Sequence, residues 1–267
     1  MLIGWWFYQF NPDQTKINMN NLPLKPLQVD SLKEACIKHL EELILSGELK
    51  AGARLPSERD FAATLGVSRP VLHEALVDLA AKGLVSILPR RGVEVNDYRQ
   101  SGSMAILSSL LTYHNGRFDP QLTASLFAMR LLVEKETARL SALSISPEQM
   151  RLLEHFIEQE ANIDRSDLPA LVRLDFDFHL QIAIASGNLV YPLILNSFVA
   201  VYTHFTGEFF DRLRFTPFLD EVYAFHRRLV EAICLHQPET AVQIMSDLLA
   251  HGEQHLFDTF SKNSKED

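Results

Sequence analysis

The sequence is poor in the residues that would place it in several common classes. It holds 2 cysteines in 267 residues, too few for a disulfide framework or a cysteine-rich zinc cluster. Cys36 and Cys234 fall in separate regions of helical pattern, as expected of buried thiols in a reducing cytoplasm. No apolar run reaches the roughly 20 residues that a membrane span needs. The opening MLIGWWFYQF is apolar but short, and it lacks the basic flank and cleavage signal of a secretory leader. Basic residues are also scarce: 25 Lys and Arg stand against 34 Asp and Glu, a net charge of −9. Such a chain repels phosphate as a whole, so a nucleic-acid contact has to come from a local cluster.

What is present points to two domains. An apolar share of 47% against 22% charged is enough to bury a core. The charge divides unevenly. Residues 25–97 carry ten Lys/Arg and eleven Asp/Glu, a balance of −1; residues 98–267 carry fourteen and twenty-two, a balance of −8. The expected organisation is an arm over 1–25, a first domain over 26–97, a polar linker over 98–104, and a second domain over 105–262. The arm is read either as disordered or, for residues 1–18, as the product of an upstream start codon with Met19 the true start.

The most informative stretch runs from Leu55 to Gly92. Before it, Ser31-x-x-Glu34 is a capping box for a first helix, which Gly47 stops. Ser57 caps a second helix that ends at Gly66. Ser68 caps a third, with Val71, Leu72, Ala75, Leu76 and Leu79 on its apolar face. Short strands at Leu84–Leu88 and Val93–Val95 flank the turn Pro89-Arg90-Arg91-Gly92. Two short helices and a basic-tipped hairpin form a DNA-reading layout. The first turn of the third helix presents Ser68, Arg69 and, one turn on, His73 at the end that reaches base edges; Arg69 suits a two-bond contact with guanine, and Ser68 with the helix-start amides suits phosphate. Ser57 and Arg59 open the second helix toward the duplex. Arg90 and Arg91 lie along the backbone or enter the minor groove, and Gly92 lets the main chain approach closely. Each residue alone reads equally well as a solvated side chain or a helix cap; their order carries the argument.

Pro56-Ser57-Glu58-Arg59-Asp60, Leu65-Gly66-Val67-Ser68-Arg69, Glu74-Ala75-Leu76, Gly83-Leu84-Val85 and Arg91-Gly92 resemble the winged-helix domain of GntR-family transcription regulators, over about residues 30–97. One departure is His73, where the family usually has Arg; Pro70-Val71 also replaces the usual Thr-Pro. An imidazole there makes one hydrogen bond of pH-dependent strength.

After the linker every segment has helical period, near 104–114, 120–143, 147–163, 168–186, 190–213, 217–236 and 238–261. The expected fold is mainly α: a winged helix-turn-helix followed by an all-α antiparallel bundle of six to seven helices. Arg130-x-x-x-Glu134, Asp175-x-x-Phe178-His179 and Ala185-Ser186-Gly187-Asn188 resemble the ligand-sensing FCD domain of the FadR subfamily. The segment Asn188 to Asn196 and Tyr202 look closer to its fatty-acyl-CoA-responsive members.

Asp175 and His179 are four apart and share a helix face. A carboxylate with imidazoles suits a divalent metal such as Zn, Ni or Mn. The resemblance adds His226 as a third ligand. The family's fourth ligand, a histidine, falls on Leu248 here, and His251 lies one turn further on. The set is then Asp175, His179 and His226 completed by His251 or water, or else the site is lost and these groups bond one another. The resemblance points Arg130 toward the effector pocket, where it can pair with a ligand carboxylate; otherwise Arg130 and Glu134 brace the bundle as an ion pair. Asn188 and Tyr202 complete the expected effector residues. Phe198, Tyr202, Phe205, Phe209 and Phe210 form either core or an apolar pocket for an acyl chain.

The combined expectation is a cytoplasmic homodimer that binds a palindromic DNA operator and answers to a small carboxylate or acyl-CoA. It is not expected to be an enzyme. The alternative is a metal-dependent hydrolase in the bundle with an accessory DNA-binding domain, against which no general base or nucleophile is placed by motif. A DNA-bending protein is a third reading, opposed by the acidic second domain.

Overall fold

The computed structural model describes residues 31–114 and 120–263; the expected arm lies outside them. Helices α1 (Leu32–Leu45), α2 (Glu58–Leu65) and α3 (Arg69–Ala81) are followed by a hairpin of β1 (Val85–Leu88) and β2 (Gly92–Val95). The caps form as the sequence predicts. Ser31 Oγ accepts from the Glu34 amide, and the Glu34 carboxylate accepts from the Ser31 amide at 2.8 Å. Ser57 and Ser68 accept from the amides of Asp60 and Val71. Gly66 leaves α2 at φ 68°, a left-handed turn that a residue with a Cβ resists. Leu40, Leu72, Leu76, Leu79 and Leu84 are fully buried between these elements. Each contributes about 1.5–3 kcal/mol relative to exposure. The strands pair antiparallel, Val85 opposite Val95 and Leu88 opposite Gly92, with Val93 and Val95 turned inward.

The linker is not an open tether. It begins with one helical turn, α4 (Tyr98–Ser101), capped by Asp97. Ser103 donates its amide to the Lys82 carbonyl at 3.1 Å. Gly83 adopts φ 78°, and a Cβ placed there would lie 2.0 Å from the Ser101 carbonyl oxygen. The next helix, α5 (Ile106–Tyr113), lies against α1. A polar knot fixes it: Lys82 Nζ donates to Glu41 Oε1 at 2.5 Å and to Ser109 Oγ at 3.0 Å, while Ser109 donates to the same Glu41 oxygen at 2.8 Å.

The second unit contains α6 (Pro120–Ser144), α7 (Pro147–Asn162), α8 (Leu168–Ala185), α9 (Tyr191–Ser197), α10 (Val199–Leu213), α11 (Pro217–Cys234) and α12 (Pro238–Asn263). α6 packs on α8 and α12, and α11 on α12 and α7. The single helix expected over 190–213 is two. Phe198 stands between them at φ −119°, ψ 20°, its side chain buried. Its place in the core outweighs the helical period of the flanking residues. Eight helices among the described residues therefore follow α4. One apolar cluster runs from Leu40 and Leu72 through Ile106, Leu107 and Leu110 of α5 to Val133, Phe176 and Tyr202. A second surrounds Phe178, Leu219, Leu229 and Met245. Cys36 is buried and Cys234 half-buried; both are free thiols, pushed up in pKa by burial. Among the described residues no helix is long and apolar enough to cross a membrane.

The Gly83 contact sets a testable cost. Gly83→Ala meets both a left-handed backbone and a main-chain clash, so it should destabilise by about 2 kcal/mol or more. Gly47→Ala, at φ 81° with open space around it, should cost only about 1 kcal/mol. Urea unfolding of the two variants measures the difference; equal losses would show that Ser101 does not constrain Gly83.

Candidate functional site

Ser57, Arg59, Ser68, Arg69, His73, Arg90, Arg91 and Gly92 are all exposed. The ends of α2 and α3 are joined by Glu58. Its Oε1 lies 3.0 Å from His73 Nδ1, and its Oε2 accepts from Arg69 Nε at 3.4 Å. The hydrogen bond with His73, aided by Arg69, draws the Glu58 carboxyl below its ordinary range against a smaller cost of burial. Glu58 was visible in the sequence only as part of a motif; its role as the strut that aims Arg69 and His73 needs the fold. At the hairpin tip, the Arg91 amide donates to the Leu88 carbonyl at 3.0 Å. Arg90 takes φ 63° and Gly92 φ 88°, so an arginine occupies a left-handed position that costs a non-glycine residue about 1–2 kcal/mol.

A polar network crosses the interior of the bundle. Asp175 and His179 on α8 meet His226 on α11, with one ligand-capable atom of each within 4.8 Å of the others. Each imidazole has a buried carboxylate beside its Nδ1. His226 faces Glu160 Oε1 of α7 at 2.6 Å, and His179 pairs with Glu134 Oε2 of α6. That leaves Nε2 of His226 for the centre. His226 Nε2 is buried without a hydrogen-bond partner, 3.9 Å from Asp175 Oδ1. Tyr202 donates to Asp175 Oδ2 at 2.7 Å. Arg130 donates to Tyr202 at 2.9 Å and, through Nε, to Glu134. Burial pushes the Tyr202 phenol far up, so it stays a donor. For Glu134 burial alone would raise the pKa, but Arg130 and His179 together hold it down to about 2. For His226 burial works downward, and the charge and hydrogen bond of Glu160 outweigh it, so its pKa is raised.

Two expected residues stand elsewhere. His251 does not join the cluster: its Nε2 lies 3.0 Å from Glu221 Oε2, and its ring stacks on Phe218 with centroids 4.7 Å apart. Leu248, one turn earlier on α12, faces the interior in its place. Asn188 is in the wall of none of the three cavities around Arg130; its side chain accepts from the Val190 amide at 2.8 Å and closes the turn before α9. Glu160 was missed by sequence reasoning, since a glutamate on an amphipathic helix gives no sign of being buried. Phe205, Phe209, Phe210 and Leu248 line a cavity of about 70 Å³ that reaches Arg130 and Asp175.

Residues 32–95 match the model of bacterial regulatory proteins of the gntR family, and residues 125–251 match the FCD domain. The chain is 31% identical over 229 residues to the HTH-type transcriptional regulator Mce2R of Mycobacterium tuberculosis, covering 85% of this chain and 92% of the relative. The chain belongs to the GntR family of bacterial transcription regulators. It is also 29% identical over 178 residues to the fatty acid metabolism regulator protein of Proteus mirabilis, covering 66% and 72% of the two chains. The transcriptional repressor NanR of Klebsiella aerogenes is 32% identical over 182 residues, 68% of each. Among solved structures, Lar, described as controlling expression of the Listeria monocytogenes agr system, superposes with a TM-score of 0.58. That match has 17% identity over 87% of this chain and 99% of Lar, and it shows the shared fold. The protein is thus an effector-modulated, DNA-binding regulator of the GntR family with an FCD domain, rather than an enzyme, which sets aside the hydrolase alternative.

The residues present fit a divalent metal. Donor atoms around such an ion sit about 3–3.5 Å apart when bonds are 2.0–2.2 Å, so the trio needs only a small contraction. Both imidazoles are oriented by carboxylates, as metal-ligating histidines usually are. With neutral imidazoles, Glu134, Asp175 and Glu160 face one guanidinium, a formal excess of two negative charges that a divalent cation cancels.

Glu134 also generates a prediction. Its folded pKa lies below the ordinary 4.5, so its contribution is complete above that value and disappears as pH falls toward about 2. Acid titration of metal-free protein should therefore show a loss of stability across this range. Glu134→Gln should be less stable at neutral pH, with a flatter acid limb; an unchanged limb would remove Glu134 as its source.

Proposed function

We propose that the protein works in the cytoplasm as a homodimer on a two-fold symmetric operator, each copy placing α3 in a major groove. Residues 26–97 read DNA, 98–104 connect, and 105–262 sense the effector and dimerise. Arg69 and His73 face the bases, Ser57 and Ser68 the phosphates, and Arg59 either; Arg90, Arg91 and Gly92 face the backbone or minor groove. Ile184, Leu189, Val190 and Leu193 are exposed apolar side chains near the α8–α9 corner, which supports burial against a second copy.

The effector is an organic acid or acyl compound held next to a divalent metal (Zn, Ni or Mn) at Asp175, His179 and His226. The observation that carries this reading is the pairing of each buried imidazole with its own carboxylate. When bound, the metal supplies a cationic seat for a carboxylate. Arg130 and Tyr202 fix Asp175 from the other side, and Glu134 and Glu160 fix the rings. The names of the fatty acid metabolism relatives favour an acyl compound. The apolar cluster through α5 gives the bundle a mechanical route to the winged helix.

Elemental analysis of untagged protein should find one metal per chain, and Asp175→Ala should lose it. Glu160→Gln should weaken metal affinity by roughly 10–100-fold. Absence of metal, with melting unchanged by chelator, would exclude the site. On DNA from its own promoter region, Arg69→Ala should abolish the specific gel shift. Arg90→Gly should reduce the slope of log affinity against log salt by about 1. Retention of cognate affinity in Arg69→Ala would displace α3 as the reading helix.

A further inference from the structure

Three cavities share two side chains. The 70 Å³ cavity near Asp175 has neighbours of about 30 Å³, toward Phe198 and Tyr202, and about 50 Å³, toward Ser246 and Glu253. Phe127 and Arg130 stand in the walls of all three. Arg130 is a fixed post, bonded to Glu134 and Tyr202. Phe127 is half-buried, its ring 6.3 Å from that of Phe205, which walls two of the cavities with it. We propose that Phe127 is a gate whose rotation joins the three cavities into one chamber for a carboxylate with an extended apolar tail.

Size selects the ligand. An apolar cavity of ~150 Å³ holds a benzene ring; no single cavity approaches this, and the three reach it only when joined. Vacating the Phe127 ring adds further room. The joined chamber has polar groups at Arg130 and Asp175 and at Ser246 and Glu253, with aromatic and aliphatic walls between. It therefore suits a monocarboxylate with a tail of about six carbons or more, and it offers too few polar partners for a sugar acid. A coenzyme A group would have to remain outside. This inference rests on the effector reading above.

The test is binding of n-alkanoates to zinc-loaded, full-length protein by calorimetry. Octanoate should bind at least about tenfold tighter than butanoate, since each added methylene buried strengthens binding several-fold. Phe127→Trp should keep acetate and lose octanoate. Phe127→Ala should move the preference toward dodecanoate, and Phe127→Leu does so more mildly if the alanine variant fails to fold. Wild-type binding that ignores chain length, or a folded Phe127→Trp that takes octanoate as the wild type does, overturns the gate. If zinc binds but neither acetate nor octanoate follows, the effector reading itself falls. Acetate binding with no length dependence removes the gate alone.

Discussion

The bundle is organised around charge that has been taken out of water. Glu134, Asp175 and Glu160 are each less than a tenth exposed, and among the described residues the permanent cation of the network is Arg130. Isolated carboxylates in such surroundings would cost several kcal/mol each. Every neighbouring choice follows from avoiding that cost. Tyr202 presents its hydroxyl to Asp175, both imidazoles take a carboxylate at Nδ1, and Arg130 serves Glu134 and Tyr202 at once. Because the partners come from α6, α7, α8, α10 and α11, the network also fixes how these helices pack. Removing one member leaves another buried and unpaired, so the cluster is a structural element whatever it binds.

The polar knot at Glu41, Lys82 and Ser109 has a similar logic on a smaller scale. It joins α1, the end of α3 and α5, three elements on both sides of the linker. With Gly83 against Ser101 it makes the linker part of the winged helix's surface. Helix α5 touches α1 on one side and α10 on the other, so it links the winged helix to the bundle. Movement of α10 would reach the reading helix through rigid contacts instead of through a tether.

Much of the fold was legible in the chain. Caps at Ser31, Ser57 and Ser68 are local signals, and each is made within a few residues. The spacing of Asp175 and His179 is local too. What could not be read depends on distant contacts. Phe198 breaks a helix because of what it packs on, and His251 turns aside because Glu221 and Phe218 hold it. Glu160 and Glu58 look like ordinary surface glutamates until the fold brings a histidine to each. The small turn at Tyr98–Ser101 was hidden because polar composition suggests a tether whether or not the backbone is pinned.

The left-handed Arg90 has a consequence for association. A flexible basic loop loses backbone freedom when it settles on DNA, and that loss subtracts from affinity. Here the hairpin closes through Arg91 and Leu88, and Gly92 continues the bend. The conformational penalty at the tip is incurred during folding, before any duplex is met. If the wing meets DNA as proposed, its arginines stand on a main chain whose turn is already closed, so the wing should gain little further order on binding.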